Sequence, residues 1–399
     1  MLEGIRVLDL TWVLGGPFAG QLLAQLGAEV IKVESPEGDQ SRASPPFFFD
    51  GDSAIFLSVN RGKKGVAIDL KSDAGRQVFY DLVRASDVVL YGFAPDVPKR
   101  LGIDFETLKG INPRICVGEL IGVHDEGAYA RAPAFDLIVQ AQGGIMSITG
   151  EEHGAPVRVG NQIGDLAGGL YLALGVCSGL LRALREGKAT RMQISLLDCQ
   201  LALLTWQAQN YFVSGEVPRA MGAKRRIGAP SDAYRCADGR YIAISTGTED
   251  FWRRLCTAVG HGELSADPRF VDLPRRVGNL DALTAELRAI FATRTLAEWL
   301  GPLKEARVPC APVMNVAEAL QQPVAGLRGM VQTMANPRTA EPMRFLGSPF
   351  KCGDAPTLSY PPRRGESTRA VLREVCGYGE PQIDSLVASQ AVYECHPGD

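Results

Sequence analysis

The sequence predicts an α/β protein: a large domain built on a mostly parallel, doubly wound sheet, plus a smaller α+β domain. Three observations carry that prediction. Strand-like and helix-like runs alternate through the first 120 residues, as successive βαβ units require. The chain has 399 residues, more than one typical domain. Its composition shifts at 213–232, where VSGEVPRAMGAKRRIGAPSD is rich in glycine, proline and basic residues.

Taken in order, IRVLDL (5–10) is the first strand, and PFAGQLLAQLG (17–27) is a helix that stops at a glycine. EVIKV (29–33) is the second strand, followed by the loop SPEGDQSRASPP. GVAIDL (65–70), DVVLYGF (87–93) and ICVGELIG (115–122) supply three more strands. AGRQVFYDLVRAS (74–86) and DFETLKGI (104–111) are the helices between them. A long apolar helix follows Asp165, and MQISLLDCQLALLTWQAQNYF (192–212) also reads as helical. This gives a large domain over 1–212, a linker over 213–232 and a small α+β domain over 233–325, leaving a C-terminal segment over 326–399. In the small domain YRCADGRYIAIS is a hairpin turning at Ala237, Asp238 and Gly239, and DFWRRLCTAVG, LDALTAELRAIFAT and TLAEWLGPLKEA are amphipathic helices. The segment 330–360 reads as strand-poor and proline-rich. Two helices close the chain within GESTRAVLREVCGYGEPQIDSLVASQ.

Composition excludes several function classes. Hydrophobic content of 46% with 22% charged residues is that of a soluble enzyme. A net charge of −3 argues against nucleic acid as a partner. The nine cysteines are scattered without a C-x-x-C pair, so free thiols in a reducing compartment are expected rather than disulfides or a metal site. The N-terminal MLEGIRVLDLT has charges where a signal peptide needs an apolar run. The most membrane-like run, 166–181, is 16 residues long with four glycines, and it reads as a buried helix rather than a span. A soluble, cytoplasmic protein is expected.

The residues that carry chemistry are few. Neither G-x-S-x-G nor H-E-x-x-H occurs, and the four histidines (124, 153, 261 and 396) lie far apart. The first turn, LGGPFAG (14–20), lacks the G-x-G-x-x-G of a dinucleotide site because Pro17 and Phe18 break the spacing. Chemistry must therefore rest on carboxylates. Asp165 is the one formal charge between Arg158 and Arg182, at the head of the apolar stretch VGNQIGDLAGGLYLALGVCSGLL. Two readings stay open for it. One is a helix cap, the commoner role for such an aspartate. The other is a catalytic carboxylate kept dry enough to attack. Basic residues in NRGKKG (60–65), at Lys71 and in PKRLG (98–102) fall at the edges of the parallel strands, where phosphates of a ligand would bind.

Five stretches in a fixed order resemble the class III CoA-transferases. They are GIRVLDLTWVLGGPFAGQLLAQLGAEVIKVESPEGD (4–39), NRGKKGVAIDLKS (60–72), QAQGGIMSITG (140–150), GNQIGDLAGGLYLALGV (160–176) and VPCAPVMNVAEAL (308–320). The likeness runs from about residue 4 to 385. It implies an acyl-CoA:carboxylate CoA-transferase, with acyl-CoA and a small carboxylic acid as partners and no permanently bound cofactor or metal. It places the catalytic aspartate at Asp165, acting through a mixed anhydride and an aspartyl-CoA thioester. The glycines around Asp165 then read as room for an acyl group to approach. It also implies a Rossmann-like large domain completed by the segment 326–399, and a homodimer of interlocked chains.

Family positions for coenzyme A fall on Val13 and Leu14 in the first turn, and on Ile68 to Lys71 after the third strand. Further contacts fall on Gly92, Phe93 and Ala94, on Arg100, and on Phe135 and Asp136. Two positions depart from the family: Ser35 stands where a basic residue is common, and Gly92 where an asparagine is. The related α-methylacyl-CoA racemases use a histidine where Phe135 stands, and phenylalanine cannot take an α-proton. An intramolecular CoA shift within a dicarboxylate, or a non-catalytic CoA-binding scaffold, are the other readings. Lys224, Arg225 and Arg226 form a basic cluster suited to a second carboxylate of the substrate.

Overall fold

The computed structural model describes residues 1–130, 132–225, 228–351, 353 and 356–395. Six parallel strands form the main sheet: β1 (Arg6–Asp9), β2 (Glu29–Glu34), β3 (Lys63–Ile68), β4 (Val88–Tyr91), β5 (Cys116–Ile121) and β6 (Thr190–Ser195). Their spatial order is 3-2-1-4-5-6, and Val392–Tyr393 adds a short antiparallel strand beyond β3. Alternation along each strand explains the two covered faces. Val7, Val30, Val88 and Leu90 pack with α1 (Gly15–Gln25) and with α4 (Ile163–Glu186). Leu8, Ile31, Val89 and Tyr91 face the other way, onto α2 (Asp73–Arg84) and the C-terminal helix Thr368–Cys376. The remaining helices that concern the site are α3 (Asp136–Gln142) and α5 (Leu196–Leu203).

The chain divides into two compact units. One comprises Met1–Ile145, Arg158–Phe212 and Gly326–Asp399, and the other Met146–Val157 and Val213–Ala325. The second unit has its own core, in which Tyr234, Trp252, Phe291 and Trp299 are buried. Its hairpin, Ser231–Arg235 with Tyr241–Ser245, turns at Gly239 with φ of +80°, and Cys310–Pro312 pairs beside it.

Two expectations about elements need correcting. MQIS is not helical: it belongs to β6, where Met192 and Ile194 pack against the sheet's helical layer. The segment 330–360 is not strand-poor, since Val331–Ala335 and Pro342–Leu346 form a hairpin. The 16-residue apolar run lies within α4, a 24-residue helix that is long and apolar enough to cross a membrane by length and composition alone. Half of its most apolar window is buried inside the protein.

Candidate active site at the head of the apolar helix

Parallel sheets with this strand order open a crevice at the carboxyl ends of the two strands where the winding reverses, here β1 and β4. The turn after β1 reaches that crevice, and the Trp12 indole N–H donates to the Gly92 carbonyl beyond β4 at 2.9 Å. Val13 adopts φ of +65°. For a β-branched residue this left-handed conformation costs about 1–3 kcal/mol and persists only where its surroundings enforce it. Two residues further on, α1 begins at Gly15. A Cβ there would lie 2.9 Å from the backbone oxygen of Asp165, so only glycine lets the two helices meet at this point.

Asp165 stands in the first turn of α4. The local N-cap position, Gln162, makes no side-chain capping bond. The cap comes instead from Asp136, 28 residues earlier, whose Oδ1 accepts the Gly164 N–H at 2.8 Å. Its Oδ2 accepts from the Gln140 amide at 2.7 Å, and Gln140 Oε1 accepts the Val159 N–H at 2.9 Å. Asp136 and Gln140 are both buried, so this arrangement ties α3 to the entry of α4. The capping role once open for Asp165 is thereby filled by another carboxylate.

The Asp165 carboxylate has no hydrogen-bond or ion-pair partner among the described residues. It is half-buried. Burial, and then the like charge of Asp136, push its pKa up to about 6. The positive end of α4 favours the ionised form, but desolvation and repulsion outweigh it. An ionisable group that is dry, unpartnered and shifted is the usual condition of a reacting carboxylate.

Three glycines flanking Asp165 are places of close helix packing. A Cβ at Gly164 would meet Val139 at 2.8 Å and Asp136 Oδ1 at 3.0 Å, and one at Gly168 would meet Leu196 at 2.5 Å. Gly169 faces the Gly15 carbonyl and Phe18. They let α1, α3 and α5 close on α4 around the acid.

The residues expected to bind coenzyme A are unevenly placed. Val13 is exposed and Leu14 half-buried in the first turn, and Gly92, Phe93 and Ala94 follow β4 on the opposite side of the crevice. Lys71 is exposed in the turn after β3, its N–H donating to Asp69. Arg100 is exposed, with Asp96 3.7 Å away. The Ile68 side chain lies in the core, which leaves only its backbone to a ligand. Phe135 is 75% exposed at the start of α3. Asp136 is buried, and its carboxylate accepts from the Gly164 N–H and the Gln140 amide. Lys224 is already neutralised by Glu152 and by Asp281 at 3.4 Å, which removes its charge from any free anion site. Arg225 is exposed, and Arg226 lies outside the described residues. Among the described residues no group of three His, Cys, Asp or Glu side chains is placed to hold a metal.

The family model described as CoA-transferase family III matches residues 2–368. An acetyl-CoA:oxalate CoA-transferase from Acetobacter aceti is 38% identical over 332 residues, covering 82% of this chain and 85% of that protein. A succinyl-CoA:glutarate CoA-transferase from Mus musculus is 34% identical over 398 residues, covering 98% and 90%. The crystal structure of a CaiB/BaiF family protein from Brucella suis superposes with a TM-score of 0.83 at 34% identity, covering 94% of this chain and 99% of that one.

Proposed function

The chain belongs to CoA-transferase family III and is an acyl-CoA:carboxylate CoA-transferase; from that premise we propose that Asp165 is the nucleophile through which coenzyme A passes. The observation that carries this reading is a half-buried carboxylate with no partner, relieved of capping by Asp136. A carboxylate oxygen of Asp165 attacks the thioester carbonyl, the C–S bond breaks, and CoA thiolate leaves a mixed anhydride. The thiolate then attacks the Asp165 carbonyl carbon. The donor acid departs as its carboxylate, and an aspartyl-CoA thioester remains. The acceptor carboxylate attacks that thioester, forming a second anhydride and releasing thiolate. Attack of the thiolate on the acceptor's acyl carbon gives the new acyl-CoA and restores Asp165. Covalent catalysis of this kind divides one difficult exchange into easier steps.

The elevated pKa suits the role. A more basic carboxylate is a better nucleophile, and with a pKa near 6 roughly nine-tenths of it is ionised at pH 7. The crevice beside it supports binding of the coenzyme along Val13, Leu14, Gly92, Phe93 and Ala94, with Lys71 and Arg100 toward the phosphates. Relatives are named for oxalate, mesaconate and glutarate, all dicarboxylic acids, and we take the acceptor to be a small dicarboxylic acid. An exposed apolar stripe on α4, formed by Leu170, Leu174, Leu181 and Leu184, supports a homodimer, and the composition supports a cytoplasmic enzyme.

The test is a panel of acyl-CoA donors against mono- and dicarboxylic acids, read as new acyl-CoA masses, with kcat/KM followed from pH 5 to pH 8. Turnover should favour a dicarboxylic acceptor, and kcat/KM should fall on an acid limb near pH 6. Transfer confined to monocarboxylic acids would remove the acceptor assignment. A rate independent of pH across this range would remove Asp165 as an ionising nucleophile.

A further inference from the structure

We propose that Asp39 is a positioning residue for CoA transfer, acting through the first turn to hold Val13 in its strained conformation against the helix that carries Asp165. This rests on the assignment of Asp165 as the reacting group. Three observations meet at the turn.

The first is the strain itself, a β-branched residue at φ of +65° in a segment that reaches the crevice. Nothing in the local sequence favours it, since asparagine or glycine would take that conformation with less cost. The second is the clamp. Asp39 Oδ1 accepts the Val13 N–H at 3.2 Å and also the Ser41 N–H at 2.9 Å and the Ser41 hydroxyl at 2.8 Å. Its Oδ2 lies 2.8 Å from the Lys32 ammonium, which donates to the Thr11 carbonyl at 2.9 Å. The same buried ion pair therefore grips the turn on both sides of Trp12. Asp39 is 6% exposed and Lys32 1%, so neither charge relaxes into water. The third is proximity to the acid. Gly15, two residues after Val13, packs directly on the Asp165 backbone.

Strain maintained by a buried ion pair at this point has a consequence for rate. If the turn relaxes, Val13 leaves the left-handed region, and the start of α1 moves relative to Asp165 and to any coenzyme lying along the turn. Displacements near 1 Å at a reacting centre reduce rates about 100-fold.

The test is a double-mutant cycle on Asp39→Asn and Val13→Gly, with kcat and KM for acyl-CoA measured for each protein and thermal midpoints recorded beside them. Asparagine keeps the size of the side chain but loses the charge that binds Lys32. Asp39→Asn should lower kcat/KM by about 100-fold, with kcat itself reduced. Adding Val13→Gly should restore at least about tenfold, because glycine adopts φ of +65° without the strain that the clamp offsets. A role confined to fold stability predicts no such rescue, since glycine restores no lost ion pair. Additive effects of the two substitutions, or normal kinetics in Asp39→Asn, would overturn the proposal. Asp165→Asn is measured in parallel: if it retained turnover, the nucleophile assignment would fail, while coupling between Asp39 and Val13 would still be read from the cycle.

Discussion

Two groups of buried charge lie on either side of the first turn, and they follow opposite rules. One gathers Asp9, Lys32, Asp39 and Lys63, and each charge in it is matched. Lys63 sits 2.7 Å from Asp9 and donates to Asn60 at 2.8 Å and to the Pro17 carbonyl at 2.9 Å. Burial opposes the charge on Asp39, yet Lys32 and the Ser41 donors hold its pKa down at about 2. The other group is the pair at the head of α4. There Asp136 is satisfied and Asp165 is not, and burial with like charge pushes Asp165 up to about 6. Matched charges hold the backbone in place, and the unmatched one is the nucleophile we propose.

The largest effect expected from breaking this contrast is on the unmatched side. Asp165→Asn should reduce kcat by about 1,000-fold or more, as loss of a covalent nucleophile does. The same substitution should stabilise the protein. The folded-state pKa lies above the ordinary value of 3.8, so stability present below pH 3.8 is lost as pH rises through about 6. Allowing for solvent access, Asp165→Asn should gain about 1–2 kcal/mol at pH 8, and the difference should vanish below pH 4. Thermal unfolding across that range reads it directly. Equal stability at both pH values would mean that the carboxylate is better solvated than its burial indicates.

On the matched side the sign reverses. Lys63→Met leaves Asp9 buried without its counter-charge and should destabilise the fold by about 3–5 kcal/mol, visible in denaturant unfolding. A neutral outcome there would show that the buried pairs contribute little to holding the turn. The smallest expected effect comes from Asp136→Asn. Asparagine still accepts the Gly164 N–H but removes the charge facing Asp165, so the acid limb of kcat/KM should move below pH 6 by less than about one unit. An unmoved limb would assign the shift of Asp165 to burial alone.

Much of this architecture was legible in the sequence. Alternating apolar runs located five of the six parallel strands, and the isolation of one carboxylate in an apolar stretch singled out Asp165, the nucleophile we propose. The sixth strand was hidden because TRMQIS alternates over only a few residues and runs straight into the helical LLDCQLAL. The hairpin at 331–346 was hidden for a different reason: most of its residues are exposed and lack the apolar alternation of a half-buried strand. The site was legible only in part. A cap supplied from 28 residues away leaves no local signal, so the hydrogen bond from the Gly164 N–H to Asp136 was invisible in the sequence. The same holds for the clamp at Asp39, because pairing with Lys32 and Val13 exists only once β1 and β2 lie side by side. The glycines were visible, but their purpose depended on which helices cross at them.

The central claim is that Asp165 becomes covalently bound during transfer, and trapping that state tests it most directly. Incubation with acyl-CoA and no acceptor, followed by quenching and digestion, should place a CoA-sized mass on the peptide between Arg158 and Arg182. Hydroxylamine should convert the adduct to a hydroxamate, and a competent acceptor acid should discharge it, because a thioester is a reactive acyl group. An unmodified peptide from enzyme that turns over the same donor would contradict the claim and leave direct transfer without an aspartyl intermediate.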